Sequence, residues 1–219
     1  MEKIRLRELD AMISRAGIGL DNDSIDDTPF AAICHSHTWD HGCAHVNSFA
    51  VGMDGTPIAF RKVGPRRLFY RDMRDMCEYL FMYLKLSNCR KLVAAPCFRR
   101  NQFAEIDKND EIFCEIYSFL KSCKIRLGER SGAVIRLPDD LDSVEMLIEG
   151  GFRGVSELCL FAPELNLLIV PSHHFEILLF SHSLDTDIIA EVSRHFIDVR
   201  CSFANYIRCC KKTKDRSDF

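Results

Sequence analysis

No apolar run in this 219-residue chain reaches the roughly 18 residues that a membrane-spanning helix needs, so no membrane partner is expected. The opening Met1 to Asp10 lacks the apolar core of a secretory signal, which leads to the expectation of a cytoplasmic protein. Strong net charge is missing too. Lys and Arg number 29 against 32 Asp and Glu, leaving −3 at neutral pH. With no recognised nucleic-acid motif and no interleaving of aromatic with basic residues, nucleic acid is not expected as a partner. Nucleophile elbow, phosphate loop, dinucleotide fingerprint and kinase signature are all absent, so no motif-borne enzyme class is indicated.

Cysteine is plentiful by contrast. Eleven in a chain of this length, an odd number and without a signal segment, argue for reduced thiols rather than a disulfide framework. Cys77, Cys114 and Cys159 lie among apolar residues and read as small core hydrophobes. Cys209 and Cys210, beside Lys211 and Lys212, read as part of a solvated basic tail.

Histidine is concentrated in one place. Residues 34–45 hold four of the eight histidines and two of the cysteines. On an extended chain His35 and His37 share a face, and a hairpin turn at Thr38, Trp39 and Asp40 would set His37 opposite His41 and His35 opposite Cys43. Opposed Cβ atoms about 4.5–5.5 Å apart bring such side chains within reach of one zinc ion. His35, His37, Asp40, His41 and Cys43 are therefore the candidate metal ligands, with zinc as the cofactor they suit. Three readings stay open: polar histidines in an exposed loop, a structural zinc site, and a catalytic metal.

The apolar run Phe30 to Cys34 followed by His35, His37, Asp40 and His41 resembles the His-x-His-x-Asp-His signature of metallo-β-lactamase-like hydrolases. The resemblance implies a dinuclear site whose bound water attacks the substrate. This chain departs from the signature in having Thr38 and Trp39 where the family has one position.

Hydrophobic periodicity predicts an α+β fold, with a mixed α/β arrangement as the alternative, built as one domain over residues 1–200 with a predominantly antiparallel sheet and four to five helices. Residues 201–219 read as a basic, partly disordered extension. The clearest helix runs from about Arg67 to Leu86, with Phe69, Met73, Met76, Cys77, Leu80, Phe81 and Leu84 on one stripe. A second covers about Asp110 to Cys123, and Lys3 to Ala16 has approximate helical spacing. Asp139 or Asp140 is expected to cap a short helix that Gly150 and Gly151 stop. That helix, the glycine pair and the strand after it resemble the closing part of acetyltransferase domains, although the glycine-rich turn that holds a pyrophosphate there has no counterpart. Lys91 to Pro96, Lys124 to Leu127 and Ala133 to Leu137 read as strands, and an antiparallel meander follows between Val155 and Ser181. Two further strands, Val46 to Gly52 and Thr56 to Val63, are expected around an Asp54-Gly55 turn.

Charge is unevenly spread. Residues 61–100 carry a balance of +8 and residues 101–200 a balance of −9. Arg66, Arg67, Arg71 and Arg74 form the dense part of the basic group and are the candidate partner-binding residues. They either pair with the acidic half of the same domain or face a partner. Together these features lead to the expectation of a cytosolic protein-binding module that inhibits or neutralises a partner protein, comparable with bacterial immunity proteins by analogy of size and charge segregation alone. The alternative is a metal-dependent hydrolase centred on residues 34–45.

Overall fold

The computed structural model describes residues 2–18, 30–36, 63–96, 110–126, 129, 131–156, 158–172, 175–196 and 198–203. These residues form an α+β fold, as the periodicity predicts. Its strands are β1 (Glu2–Ile4), β2 (Phe30–Ser36), β3 (Lys91–Pro96), β4 (Gly132–Arg136), β5 (Leu158–Ala162), β6 (Leu167–Ser172), β7 (Glu176–Phe180) and β8 (Val199–Phe203). They join in one eight-stranded sheet of order β1-β4-β3-β5-β6-β7-β2-β8. Every neighbouring pair is antiparallel. Five helices accompany it: α1 (Leu6–Arg15), α2 (Val63–Leu86), α3 (Glu111–Ser122), α4 (Leu141–Phe152) and α5 (Thr186–Ser193).

Both faces of the sheet are covered, which is why its central strands read as unbroken apolar runs. All five residues of β5 are buried. Alternation sends Leu158, Leu160, Ile169, Ile177 and Leu179 into the core beneath α2 to α5. Their neighbours Cys159, Phe161, Leu168, Val170 and Phe180 face the other side, where Leu9, Ile13, Ala16 and Ile18 of α1 and its C-terminal turn cover them. The α2 stripe behaves as its spacing predicts: Phe69, Met73, Met76, Cys77, Leu80 and Leu84 are all buried, with Phe81 packed at the margin. The helix begins at Val63, four residues before Arg67, because Pro65 falls in the first turn, where a missing N–H costs no hydrogen bond. Asp110, read as the first residue of the second helix, is the cap of α3: its Oδ1 accepts from the backbone N–H of Ile112 at 2.9 Å and of Phe113 at 3.3 Å. Asp140, an expected cap, stands at the N-cap of α4 with its side chain turned to the Arg136 N–H instead.

Several local expectations give way to tertiary context. Glu2–Ile4, expected to lead into the first helix, instead pairs with Gly132–Val134, and Lys3 bonds the Lys124 carbonyl and Glu129. Lys124, expected in a strand, takes a left-handed conformation that ends α3, with Ile125 N–H returning to Leu120 O. Gly150 and Gly151 do not stop α4 but lie inside it. A Cβ on Gly150 would stand 2.5 Å from Ile116 Cδ1, and one on Gly151 2.5 Å from Pro171 Cβ, so the pair allows α4 to approach α3 and β6 closely. The actual stop is Gly154 at φ +65°, with Val155 N–H bonding Gly150 O. Cys114, read as a core thiol, is exposed, whereas Cys77 and Cys159 are buried. Strand β8 carries the sheet to Phe203, past the boundary drawn at residue 200. Of the strands expected over 46–63, residues 46–62 lie outside the described residues, as does the segment 204–219, while Val63 starts α2 instead of ending a strand.

Candidate functional site

One end of the sheet carries the described start of the histidine-rich segment. There β2, β3 and β6 finish and β5, β7 and β8 start: Pro96 stands opposite Leu158, Ser172 opposite Glu176, and Ser36 opposite Val199. Phe175 fastens this end to two helices, with its ring 5.1 Å from Phe69 of α2 and 4.6 Å from Phe152 of α4. The histidine-rich segment continues from this end of β2.

Of the candidate metal ligands, His35 lies in β2, its backbone between Glu176 of β7 and Arg200 of β8. Both edges of β2 are therefore occupied at this position, and the expected hairpin register, with His35 opposite Cys43, has no free edge to use. Tertiary pairing with strands more than 140 residues away has displaced a local one. His37, Asp40, His41 and Cys43 lie outside the described residues, as do His173 and His174. Among the described residues no three His, Cys, Asp or Glu side chains gather in a metal-binding group.

Beside this end lies a buried polar knot joining three helices. Tyr70 Oη of α2 donates to Glu149 Oε1 of α4 at 2.8 Å, and Arg153 Nη1 donates to the same oxygen at 3.2 Å. Arg153 Nη2 donates to Asp110 Oδ2 at 2.6 Å, while the other oxygen of Asp110 caps α3. The Arg153 side chain is only 10% exposed, so these charges need one another. Burial pushes the Glu149 carboxyl above its ordinary range, opposed by Tyr70 and by Arg153. The knot spends its guanidinium and phenol on its own carboxylates, which suits a tie between helices more than an acid held ready for substrate. Sequence reading misses it because its members are spread over 84 residues. The one local signal is Glu149 itself, a lone charge in the apolar run Met146 to Phe152.

The basic group sits on the first half of α2. Arg66 falls in the first turn, which carries no acidic residue. Arg67 and Arg74 are exposed, and with Arg71 they follow the i, i+4, i+7 spacing of one helical stripe. Arg71, 60% exposed, reaches sideways to the adjacent Asp72, which is 2% exposed, with Nε and Nη2 at 2.8 and 2.7 Å from Oδ1. Burial, and after it Asp72, raises the carboxyl of nearby Asp75 above its ordinary range. Arg67 and Arg74 take part in no ion pair among the described residues. Apart from Asp198, whose charge acts on Arg71, the described ion pairs of the acidic half use other partners: Arg153 for Asp110 and Glu149, Lys3 for Glu129, and Arg194 for Glu191.

Comparison of the chain with protein-family models, with curated proteins and with solved structures finds no match. No described helix is long and apolar enough to cross a membrane.

Proposed function

We propose that the chain is a protein-binding module that neutralises a partner protein, and that the arginine stripe of α2 is its recognition surface. The observation that carries this reading is the exposure of Arg67 and Arg74 without an ion-pair partner among the described residues. Two such cations flanking Arg71 give a locally positive ridge on a chain whose net charge is −3, and a ridge of this kind steers an acidic protein surface towards itself. Helix stability offers no alternative reason for Arg66 at the start of α2, because positive charge there opposes the macrodipole.

The stripe is tested by reversing Arg67 and Arg74 together to Glu, leaving Arg71 in place because it neutralises the buried Asp72. Folding stability should change by about 0.5 kcal/mol or less per site, as for other exposed positions. Retention of a partner identified by mass spectrometry from the cells that make this chain should fall at least about tenfold. The remaining binding should respond less to salt, since exposed charges are screened over about 8 Å at physiological ionic strength. Replacement by lysine instead, Arg67→Lys with Arg74→Lys, should keep most of the retention, and the wild-type chain should suppress the captured protein's own activity. Equal retention by wild type and the folded Glu variant would remove the stripe as the recognition surface.

A further inference from the structure

Cys34 of β2 and Cys201 of β8 are register partners on adjacent antiparallel strands. Their sulfurs stand 3.2 Å apart, the Cys34 thiol directed at Cys201 Sγ. Cα atoms of directly paired antiparallel residues are about 4.5 or 5.5 Å apart, according to the type of pair. Both values fall within the roughly 4.4–6.8 Å spanned by disulfides. The contraction still needed, to an S–S bond of about 2.05 Å, falls on β8, which among the described strands is outermost and has only β2 as a ladder neighbour to disturb.

The two thiols differ in a way that assigns their roles. Cys34 is 3% exposed. Cys201 is half-buried, and the bonds it receives from Cys34 and Tyr79 favour its thiolate against the cost of burial. Tyr79 Oη lies 3.0 Å from Ser193 Oγ of α5, so the phenol is held over the pair between two helices and the sheet edge.

We infer that Cys34 and Cys201 form a reversible disulfide site, oxidised by a hydroperoxide and restored by a dithiol, that fastens the edge strand β8 to β2. The Cys201 thiolate attacks the hydroperoxide; an S–O bond forms, the O–O bond breaks, and the alcohol or water leaves after taking a proton. Cys34 sulfur then attacks Cys201 sulfur, the S–O bond breaks, and hydroxide departs as water with the Cys34 proton. Two thiols and one hydroperoxide thus give one disulfide, one alcohol or water, and one water, with two electrons passing from sulfur to oxygen. Cys201 is half-exposed, so a dithiol can reach the bond and reduce it. The site is independent of the arginine stripe.

The full-length, folded and reduced chain is treated with hydrogen peroxide, and its linked peptides are mapped before and after dithiothreitol. Expected is a Cys34–Cys201 link as the main product, lost on reduction. In Cys34→Ala a sulfenic acid at Cys201 should become trappable by a dione reagent, at least about tenfold above wild type, while Cys114→Ser, at an exposed position, leaves the link unchanged. Wild-type mapping stands on its own if a variant fails to fold. Oxidation that leaves Cys34 a free thiol, or that joins Cys201 to another cysteine, overturns the proposal.

Discussion

The two faces of the sheet are covered by unequal means. Four helices lie on one, with Met76, Leu92, Ile135, Leu147 and Leu160 at 0% exposure, and with α4 so near its neighbours that a Cβ on Gly150 or Gly151 would stand 2.5 Å from one of them. The other is covered by α1, ten residues long, whose Leu9 and Ile13 close over Val93, Phe161 and Leu168 while Met12 stays at the margin. Among the described residues, equal burial therefore arises from a deep layer on one side and a single helix on the other. A deep layer is held in place from several directions, whereas a lone helix can settle into a gap beneath it. Cost on truncation depends on how far a site can collapse.

The largest expected effect tests that difference directly. Leu80→Ala in α2 and Leu9→Ala in α1 remove the same atoms from sites 2% and 3% exposed. The range for such changes is about 2–5 kcal/mol, and Leu80→Ala should fall in its upper part and Leu9→Ala in its lower part. Denaturant unfolding at unchanged slope measures both. Equal costs would show that α1 is held as firmly as the four-helix layer.

A smaller effect sharpens the picture inside the deep layer. Gly151→Ala places a methyl against Pro171, whose carbonyl oxygen at 2.9 Å and ring carbon at 2.5 Å cannot move independently of β6. It should destabilise by about 1–3 kcal/mol through overpacking, in spite of the roughly 1 kcal/mol that alanine gains over glycine in a helix. Gly150→Ala meets chiefly the terminal Cδ1 of Ile116, which can turn away, and should stay within about 1 kcal/mol of wild type. Reversed costs would mean that α4 leans on α3 rather than on the sheet.

The same contrast explains what the sequence discloses. The α2 stripe is legible because helical period is local, set by residues three or four apart. Strands β5 and β6 are legible as apolar runs with a Pro163 to Asn166 turn between them, where Asn166 takes the left-handed position. What stays hidden depends on distant partners. Glu2–Ile4 becomes a strand because Gly132–Val134 lies alongside, and the glycine pair stays helical because Pro171 and Ile116 crowd it. His35 loses its expected hairpin partner to Glu176 and Arg200. The knot at Arg153 and the thiol pair at Cys34 and Cys201 combine residues that no sequence window holds together. On α2, spacing places Arg67, Arg71 and Arg74 on one stripe, but only the fold separates Arg71, tied to Asp72, from its two neighbours.

The smallest effect compares a buried carboxylate with a half-buried one. Glu149 has a folded pKa raised above the ordinary 4.5, first by burial, so between 4.5 and that raised value the folded state holds more proton than the unfolded. Stability changes with pH in proportion to protons bound unfolded minus protons bound folded. It therefore falls as pH rises through this window, by at most about 1.4 kcal/mol per unit from this group, and levels off on either side. Glu129 shows the opposite sign: bonds from Lys3, the Arg126 N–H and Ser131 hold it down at about 2, so its contribution is present above the ordinary 4.5 and is lost as pH falls towards 2. Glu149→Gln keeps an acceptor for Tyr70 and Arg153 but cannot titrate. The stability of wild type minus that of Glu149→Gln, followed by urea unfolding from pH 4 upward, should decline through the window and then stay level. A difference that rises with pH would mean that Arg153 and Tyr70 outweigh burial, giving the knot of the deep layer the same electrostatic character as the half-buried Lys3–Glu129 pair beside β1.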